Sequence, residues 1–401
     1  MIRLSLAALA GAAALITAAP AFADTISVHA GPGAQERLQE AMILAQPGDE
    51  IVLGLGRFEL TDGLSLDVDG VTIRGAGMQR SVLDFTNQQG AGEGLLVTSD
   101  NVTLRDFAVE NAKGDGIKTK GADQIIFHKL RVEWTDGPKA TNGAYGIYPV
   151  EASNVLVQDS YVRGASDAGI YVGQSEQIVV RRNMVVENVA GIEIENSNHA
   201  EVTQNLATKN TGGILVFDLP GLPKVGGGSV LVSNNLVLGN NTDNFAPEGN
   251  IVASVPAGTG IMVMANSGVH LTNNILKNNA SAHVMLIAYS QEFDDERYQP
   301  RPVDVLVKDN MFSGGGDKPD FPGGAELLAA LGGGPLPPVL TDGLHENLAV
   351  IGEVPVLSLG LTEVGQSIAE ANPAPLAIGN PQLTAVLAPV TLPEGMEARI
   401  R

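Results

Sequence analysis

The 401-residue chain carries a formal net charge of −21, with 45 acidic residues against 24 lysines and arginines, and it contains no cysteine. That balance repels nucleic acid and anionic membrane surfaces, and the missing thiols exclude disulfides, thiolate metal sites and a lipid-bearing cysteine. Hydrophobic residues make up 44% of the chain, aromatics only 4%, and glycines number 48, so a large aliphatic core punctuated by turns is expected.

Residues 2–23, IRLSLAALAGAAALITAAPAFA, join an early cation, Arg3, to a small and apolar stretch ending in Ala-Phe-Ala. This is the pattern of a secretory signal peptide, with cleavage after Ala23 and a periplasmic or extracellular destination. Gly11 and Pro20 interrupt the apolar run, which falls short of the ~20 residues that span a bilayer, so no membrane insertion is expected. Residues 24–50 follow as an N-terminal cap: Leu38, Ala41, Met42 and Ala45 share one face of an amphipathic helix, and Pro47-Gly48 turns the chain into its first strand.

From residue 51 to residue 315 the chain repeats. Gly-Ile hexamers begin at Gly116 (GIKTKG), Gly146 (GIYPVE), Gly169 (GIYVGQ), Gly191 (GIEIEN), Gly213 (GILVFD) and Gly260 (GIMVMA), and Gly169, Gly191 and Gly213 are each 22 residues apart. The unit from Gly169 to Ala190 divides into three short runs, Ile170 to Val172, Ile178 to Val180 and Met184 to Val186, separated by polar turns. Ile170/Val172 and Ile178/Val180 alternate with period 2, which excludes helical solenoids and predicts an all-β, three-stranded parallel β-helix with one coil per repeat, right-handed by the resemblance described below. Asn183, Asn205, Asn235, Asn274 and Asn310 occupy the same place after successive second strands and are expected to form an asparagine ladder. After residue 315 the pattern dissolves into Gly- and Pro-rich stretches, so 316–401 is expected to be a tail or cap packed on the solenoid.

The stretches NGAYGIYPVEASNV, SDAGIYVGQS, AGIEIENS, GGILVFDLPG and NNTDNFAPEGNIV resemble the exported, parallel β-helix repeat-containing bacterial proteins of the pectate-lyase-like superfold, over roughly residues 70–290. The resemblance implies the β-helix fold. The wider superfold holds polyuronate lyases, galacturonases, mannuronan epimerases and carbohydrate-binding repeat proteins, so it implies a carbohydrate partner without choosing the chemistry. The Asp-Pro-His-Asp motif of the epimerases and the Arg-centred signature of pectate lyases are absent from this chain.

Insertions into a rigid scaffold carry function more often than the scaffold does. Two intervals depart from the repeat: Gly116 to Gly146 is 30 residues and Gly213 to Gly260 is 47, the excess lying in EWTDGPKATNGAY, LPGLPKVGGG and NTDNFAPEGNIVASVPAGT. All three segments border the first strand and are expected to wall a groove. The residue after each Ile points outward, and coils stack about 4.8 Å apart, so Lys118, Tyr148, Tyr171, Glu193, Leu215 and Met262 form one outward column. Lys120, Val150, Gly173, Glu195, Phe217 and Met264 form a second.

Glu193 and Glu195 face the same way about 7 Å apart, a separation that suits an acid and base pair or a Ca²⁺ site. Tyr148 and Tyr171 suit stacking on sugar rings or acting as a base in β-elimination, with Lys118 or Lys120 lowering a phenol pKa or neutralising a carboxylate. Lys120, Glu151, Asp167, Phe217, Asp218 and Trp134 are the candidate substrate contacts around them, Trp134 in the first insertion fitting a lid or sugar platform and an anchor of its own loop equally well. Asp243 and Glu248 are candidate ligands for a cation, Ca²⁺ being the only cofactor considered, in the longest loop; their bland reading is turn formation. Three functions fit: a polysaccharide lyase, epimerase or glycosidase; a non-catalytic carbohydrate-binding or maturation factor; and a structural solenoid that docks a protein partner.

Overall fold

The computed structural model describes residues 23–90, 92–378 and 382–401; the expected signal peptide lies outside them except for Ala23. The chain winds into a right-handed parallel β-helix with three faces, two sheets of 12 strands and one of 10. One full coil shows the anatomy: Ala168–Gly173 on the first face, Glu176–Arg181 on the second and Met184–Val186 on the third. Each pairs in parallel with its counterpart one coil on, so Ile170 sits beside Ile192 and Ile192 beside Ile214. The inward column Ile147, Ile170, Ile192, Ile214, Ile261 and Val284 is fully buried, which is what the repeated Gly-Ile pair encodes.

Sharp corners between faces need special backbone. The residue before each ladder asparagine (Arg182, Gln204, Asn234, Asn273 and Asp309) adopts the left-handed conformation with φ between 52° and 60°; in residues other than glycine this costs roughly 1 kcal/mol each. The asparagine that follows offsets the strain. Asn205 accepts bonds from the backbone N–H and the side-chain amide of Asn183 (2.9 and 3.0 Å), donates to the Asn235 side chain at 3.0 Å and donates to the Val180 carbonyl at 2.9 Å. A second ladder, Asn188, Asn210, Asn240 and Asn279, runs up the corner between the third and first faces in the same manner. It stands five residues after the first ladder in four of that ladder's five coils, a spacing readable in the sequence but not recognised there.

The expected boundaries of the solenoid shift at both ends. Thr25–Val28 precedes the capping helix Ala34–Leu44 and pairs in parallel with Glu50–Leu53, so the first coil begins before the cap. The helix buries Ala34, Leu38, Ala41 and Met42 over the open end of the core, as its periodicity predicts. Beyond residue 315, Val339–Thr341, Glu346–Ile351 and Val356–Ser358 continue the first and second faces. The Gly- and Pro-rich segments that obscured them are long insertions, one carrying the helix Gly324–Ala330. The last described segment runs back down the second face: Leu387 N–H donates to His270, Val390 N–H to Glu201, and the Arg399 guanidinium to the carbonyls of Asn101 and Gln124. Among the described residues no helix is long and apolar enough to cross a membrane.

Replacing Asn205 with alanine removes four buried hydrogen bonds, those accepted from the Asn183 backbone N–H and side-chain amide and those donated to Asn235 and the Val180 carbonyl. We expect a loss of at least about 3 kcal/mol in chemical denaturation, against a smaller loss for Asn310→Ala at the half-exposed end of the ladder.

Candidate functional site

In-register pairing places the expected columns side by side. Lys118 is beside Tyr148, Tyr171 beside Glu193, Glu193 beside Leu215 and Leu215 beside Met262. The Tyr148 and Tyr171 ring centroids lie 4.8 Å apart. The second column is likewise continuous from Lys120 through Val150, Gly173, Glu195 and Phe217 to Met264. A third outward column escaped notice because it begins one residue before each Gly-Ile pair: Tyr145, Ala168, Ala190, Gly212, Thr259 and Ala282. Tyr145 stands 4.5 Å from both Tyr148 and Tyr171 and completes a triad of rings, and the small residues after it leave room for a roof.

That roof corrects the expectation of one long solvated groove. Tyr171, Glu193, Glu195, Asp167, Phe217 and Asp218 point outward from the solenoid, yet all are buried, Glu193 to 1% exposure and Glu195 to 6%. The longest insertion folds back over them. Asn244 staples it by donating to the carbonyls of Val252 and Val255, and Asn250 reaches down to donate to Asp167 at 3.3 Å. Tyr298, from a further loop, donates its hydroxyl to the Asp218 carbonyl at 2.7 Å. The segments expected to be walls are a lid over the middle and far end of the face.

Two other candidates change role. Trp134 is 5% exposed and its indole N–H donates to the Ala112 carbonyl at 2.7 Å, so it anchors the first insertion and presents no free face to a sugar. Asp243 and Glu248 are exposed on the lid, and among the described residues no three histidine or carboxylate side chains converge to hold a cation.

The open part of the face is its N-terminal end. There Lys118 lies 3.1 Å from Glu93 and 3.6 Å from Asp115, with its ammonium 4.9 Å from the centroid of the half-buried Tyr148 ring. Lys120 and Glu151 are exposed and paired at 3.7 Å. A polar strip thus leads to the tyrosine triad, behind which the carboxyls are enclosed.

Burial dominates the electrostatics of those carboxyls. It pushes Asp167 up to about 7, against the opposing hydrogen bonds from Tyr145 and Asn250. Burial likewise lifts Glu195 to about 7, with the Tyr171 hydroxyl bond opposing and the negative charges of Asp167 and Asp218 adding to the rise. Glu193 is raised well above the carboxylate range by burial, then by Asp167 and Glu195, and its Oε1 has no hydrogen-bond partner. Asp115 rises to about 6 through burial although Lys118 opposes it; Asp218 rises to about 6 although Gly227 N–H and Asn266 donate to it. Gly173 is required here for a steric reason: the Tyr171 ring crosses it towards Glu195, and a Cβ would lie 2.4 Å from the hydroxyl oxygen.

With the geometry in place, the chain can be set beside known proteins. Residues 68–223 match the family model described as right handed beta helix region. The protein is a right-handed parallel β-helix protein. This β-helix is similar in fold to a DFA-IIIase from Arthrobacter chlorophenolicus (TM-score 0.50, 12% identity, covering 81% of this chain and 93% of that one). It is similar also to a family 28 exopolygalacturonase from Yersinia enterocolitica (TM-score 0.50, 11% identity, covering 82% and 70%). A mannuronan C-5 epimerase A-module from Azotobacter vinelandii aligns at TM-score 0.48 and 14% identity, covering 79% and 91%. At these identities the likeness is one of fold. No curated protein matches the chain in sequence.

The enclosed carboxyls set a pH dependence of stability. An unfolded Asp or Glu loses its proton near pH 4, whereas Asp167 and Glu195 keep theirs in the folded chain to about pH 7. The folded state therefore holds extra protons across that window, and its stability is full below the unfolded value and falls as pH rises through the folded one. Glu193→Gln removes one such group, so its melting temperature is expected to exceed that of the native chain at pH 8 by a margin that shrinks towards pH 5.

Proposed function

We propose that this is an exported carbohydrate-active protein that takes a glycan chain along the open end of the first face and brings its terminal residue to the edge of the lid. The reading rests on one observation: carboxyls held near neutral pKa, Asp167 and Glu195, lie directly behind three packed tyrosines at the closed end of a polar strip. The apolar leader at residues 2–23 supports a periplasmic or extracellular location.

In this reading Tyr148 stacks on a sugar ring, Lys118, Lys120 and Glu151 hydrogen-bond to hydroxyls, and Tyr171 positions Glu195. A carboxyl that retains its proton at neutral pH is what a glycosidic oxygen needs as a general acid, and Glu195 and Asp167 both meet that condition. Glu193 is fully enclosed and has no contact with the glycan in this scheme. A neutral glycan is favoured over a polyuronate, because Lys118 and Lys120 are already paired with carboxylates and the chain is strongly acidic. Ca²⁺ has no part in this scheme.

The low exposure of Asp167 and Glu195 favours a second reading, in which the strip binds the glycan without turnover. Calorimetry and reducing-end release against neutral and uronic oligosaccharides, with and without a chelator, separate the two. We expect affinity for neutral oligosaccharides that chelation does not alter, at least a tenfold loss of it in Tyr148→Ala, and loss of turnover with affinity retained in Glu195→Gln and Asp167→Asn. Affinity without turnover selects the binding protein. No affinity for any glycan, or turnover surviving both carboxyl variants, refutes the site.

A further inference from the structure

Past Glu193 and Glu195 the outward columns of the first face change character. Leu215, Met262, Met285, Leu340 and Leu357 succeed one another in register, with Phe217, Met264 and Ile287 beside them. In a chain of net charge −21 this stretch of sheet carries no charge, and the side chains are not turned into the core of the solenoid. All of these except Leu357 floor a cavity of about 400 Å³.

Separate segments close over it. Ile251 to Pro256 come from the lid, Phe321 and Pro322 precede the second helix, and Leu359 to Ile368 follow the last coil strand. Polar groups on the wall are few: Ser254, Ser290 and Gln366, and Asp342. Asp342 is already engaged, accepting from the Ala288 N–H at 2.6 Å and the Leu344 N–H at 2.7 Å, so its charge serves the chain turn. Among the described residues no lysine, arginine or histidine lines the cavity. A volume of this size with apolar walls and a few peripheral polar groups is the form of a small-molecule site.

We propose that this cavity binds the aliphatic chain of an uncharged amphiphile. The wall chemistry selects the ligand. Three methionines give a pliable floor that adapts to a flexible chain, and two phenylalanines are too few to sandwich a flat aromatic system. An anionic headgroup would meet Asp342 on the wall and a strongly acidic protein around it, the nearby Arg301 being already opposed by Asp342 and Glu346, so an alcohol, ester or glycosyl headgroup is accepted where a carboxylate is not. This site is independent of the carbohydrate strip, from which the enclosed carboxyls separate it.

The test uses the mature chain with N-phenyl-1-naphthylamine as a neutral fluorescent probe, displaced by 1-alkanols of increasing length and by fatty acids of equal length at pH 8. We expect saturable one-to-one binding. Each added methylene should tighten displacement about three- to fourfold until the cavity is filled, and each alcohol should bind at least tenfold tighter than its acid. Val255→Phe, which fills part of the cavity, should weaken the probe at least tenfold. ¹³C-methyl methionine spectra supply a readout that needs no folding-sensitive variant: addition of 1-decanol should shift the Met262, Met264 and Met285 methyls, assigned through Met→Leu replacements. The Met184 and Met311 methyls, on the exposed third face, should stay in place. Absence of saturable binding, equal affinity for acid and alcohol, or shifts confined to Met184 and Met311 would overturn the proposal.

Discussion

Everything in this molecule depends on coils that stay in register, because each strand has both edges to satisfy and its only partners lie one coil above and below. Hydrogen bonds between parallel strands do not by themselves forbid slippage. The two asparagine ladders do. An amide that bonds both the next asparagine and a backbone carbonyl has one position in which all its atoms are matched, and a coil displaced by one residue would bury several unmatched polar groups. The left-handed residue before each asparagine belongs to the same constraint: the corner is strained, and the ladder holds it.

Once register is enforced, outward side chains form columns whether or not they are chemically comfortable together. Asp167, Glu193 and Glu195 are brought into one neighbourhood in this way, and Tyr145, Tyr148 and Tyr171 into another directly beside it. On an open sheet face the carboxylates would be solvated and ordinary. Under the lid they lose water, and burial becomes the largest influence on their protonation. The same lid passes from the acidic part of the face to the apolar part and, with the later loops, gives the first face an open polar end, an enclosed acidic middle and an apolar chamber.

How much of this was legible follows from range. Gly-Ile pairs at a 22-residue spacing, period-2 alternation and recurrent asparagines are local signals, and they sufficed for the fold, for the capping helix and for which side chains share a column. The second ladder and the Tyr145 column were equally readable, but the alignment was anchored on the Gly-Ile pair and one Asn per coil. The end of the solenoid was misplaced because insertions of Gly and Pro interrupt the repeat without ending it. Trp134 stayed open between platform and loop anchor for a related reason: an aromatic residue in an insertion looks the same in sequence whether its face meets solvent or its indole N–H meets the Ala112 carbonyl.

The sequence alone determined that the chain is a β-helix, and that Lys118, Tyr148, Tyr171 and Glu193 stand in one line, because both follow from periodicity and from a strand spacing common to all parallel sheets. Whether that line meets water was decided by tertiary structure. The path of a loop such as Asn244 to Pro256 is set by contacts with residues two or three coils away, Asn250 with Asp167 among them, as that of the later loop is by Tyr298 with Asp218, and no local pattern encodes such contacts. Burial, and with it the protonation of every enclosed carboxyl, is a property of that folded arrangement.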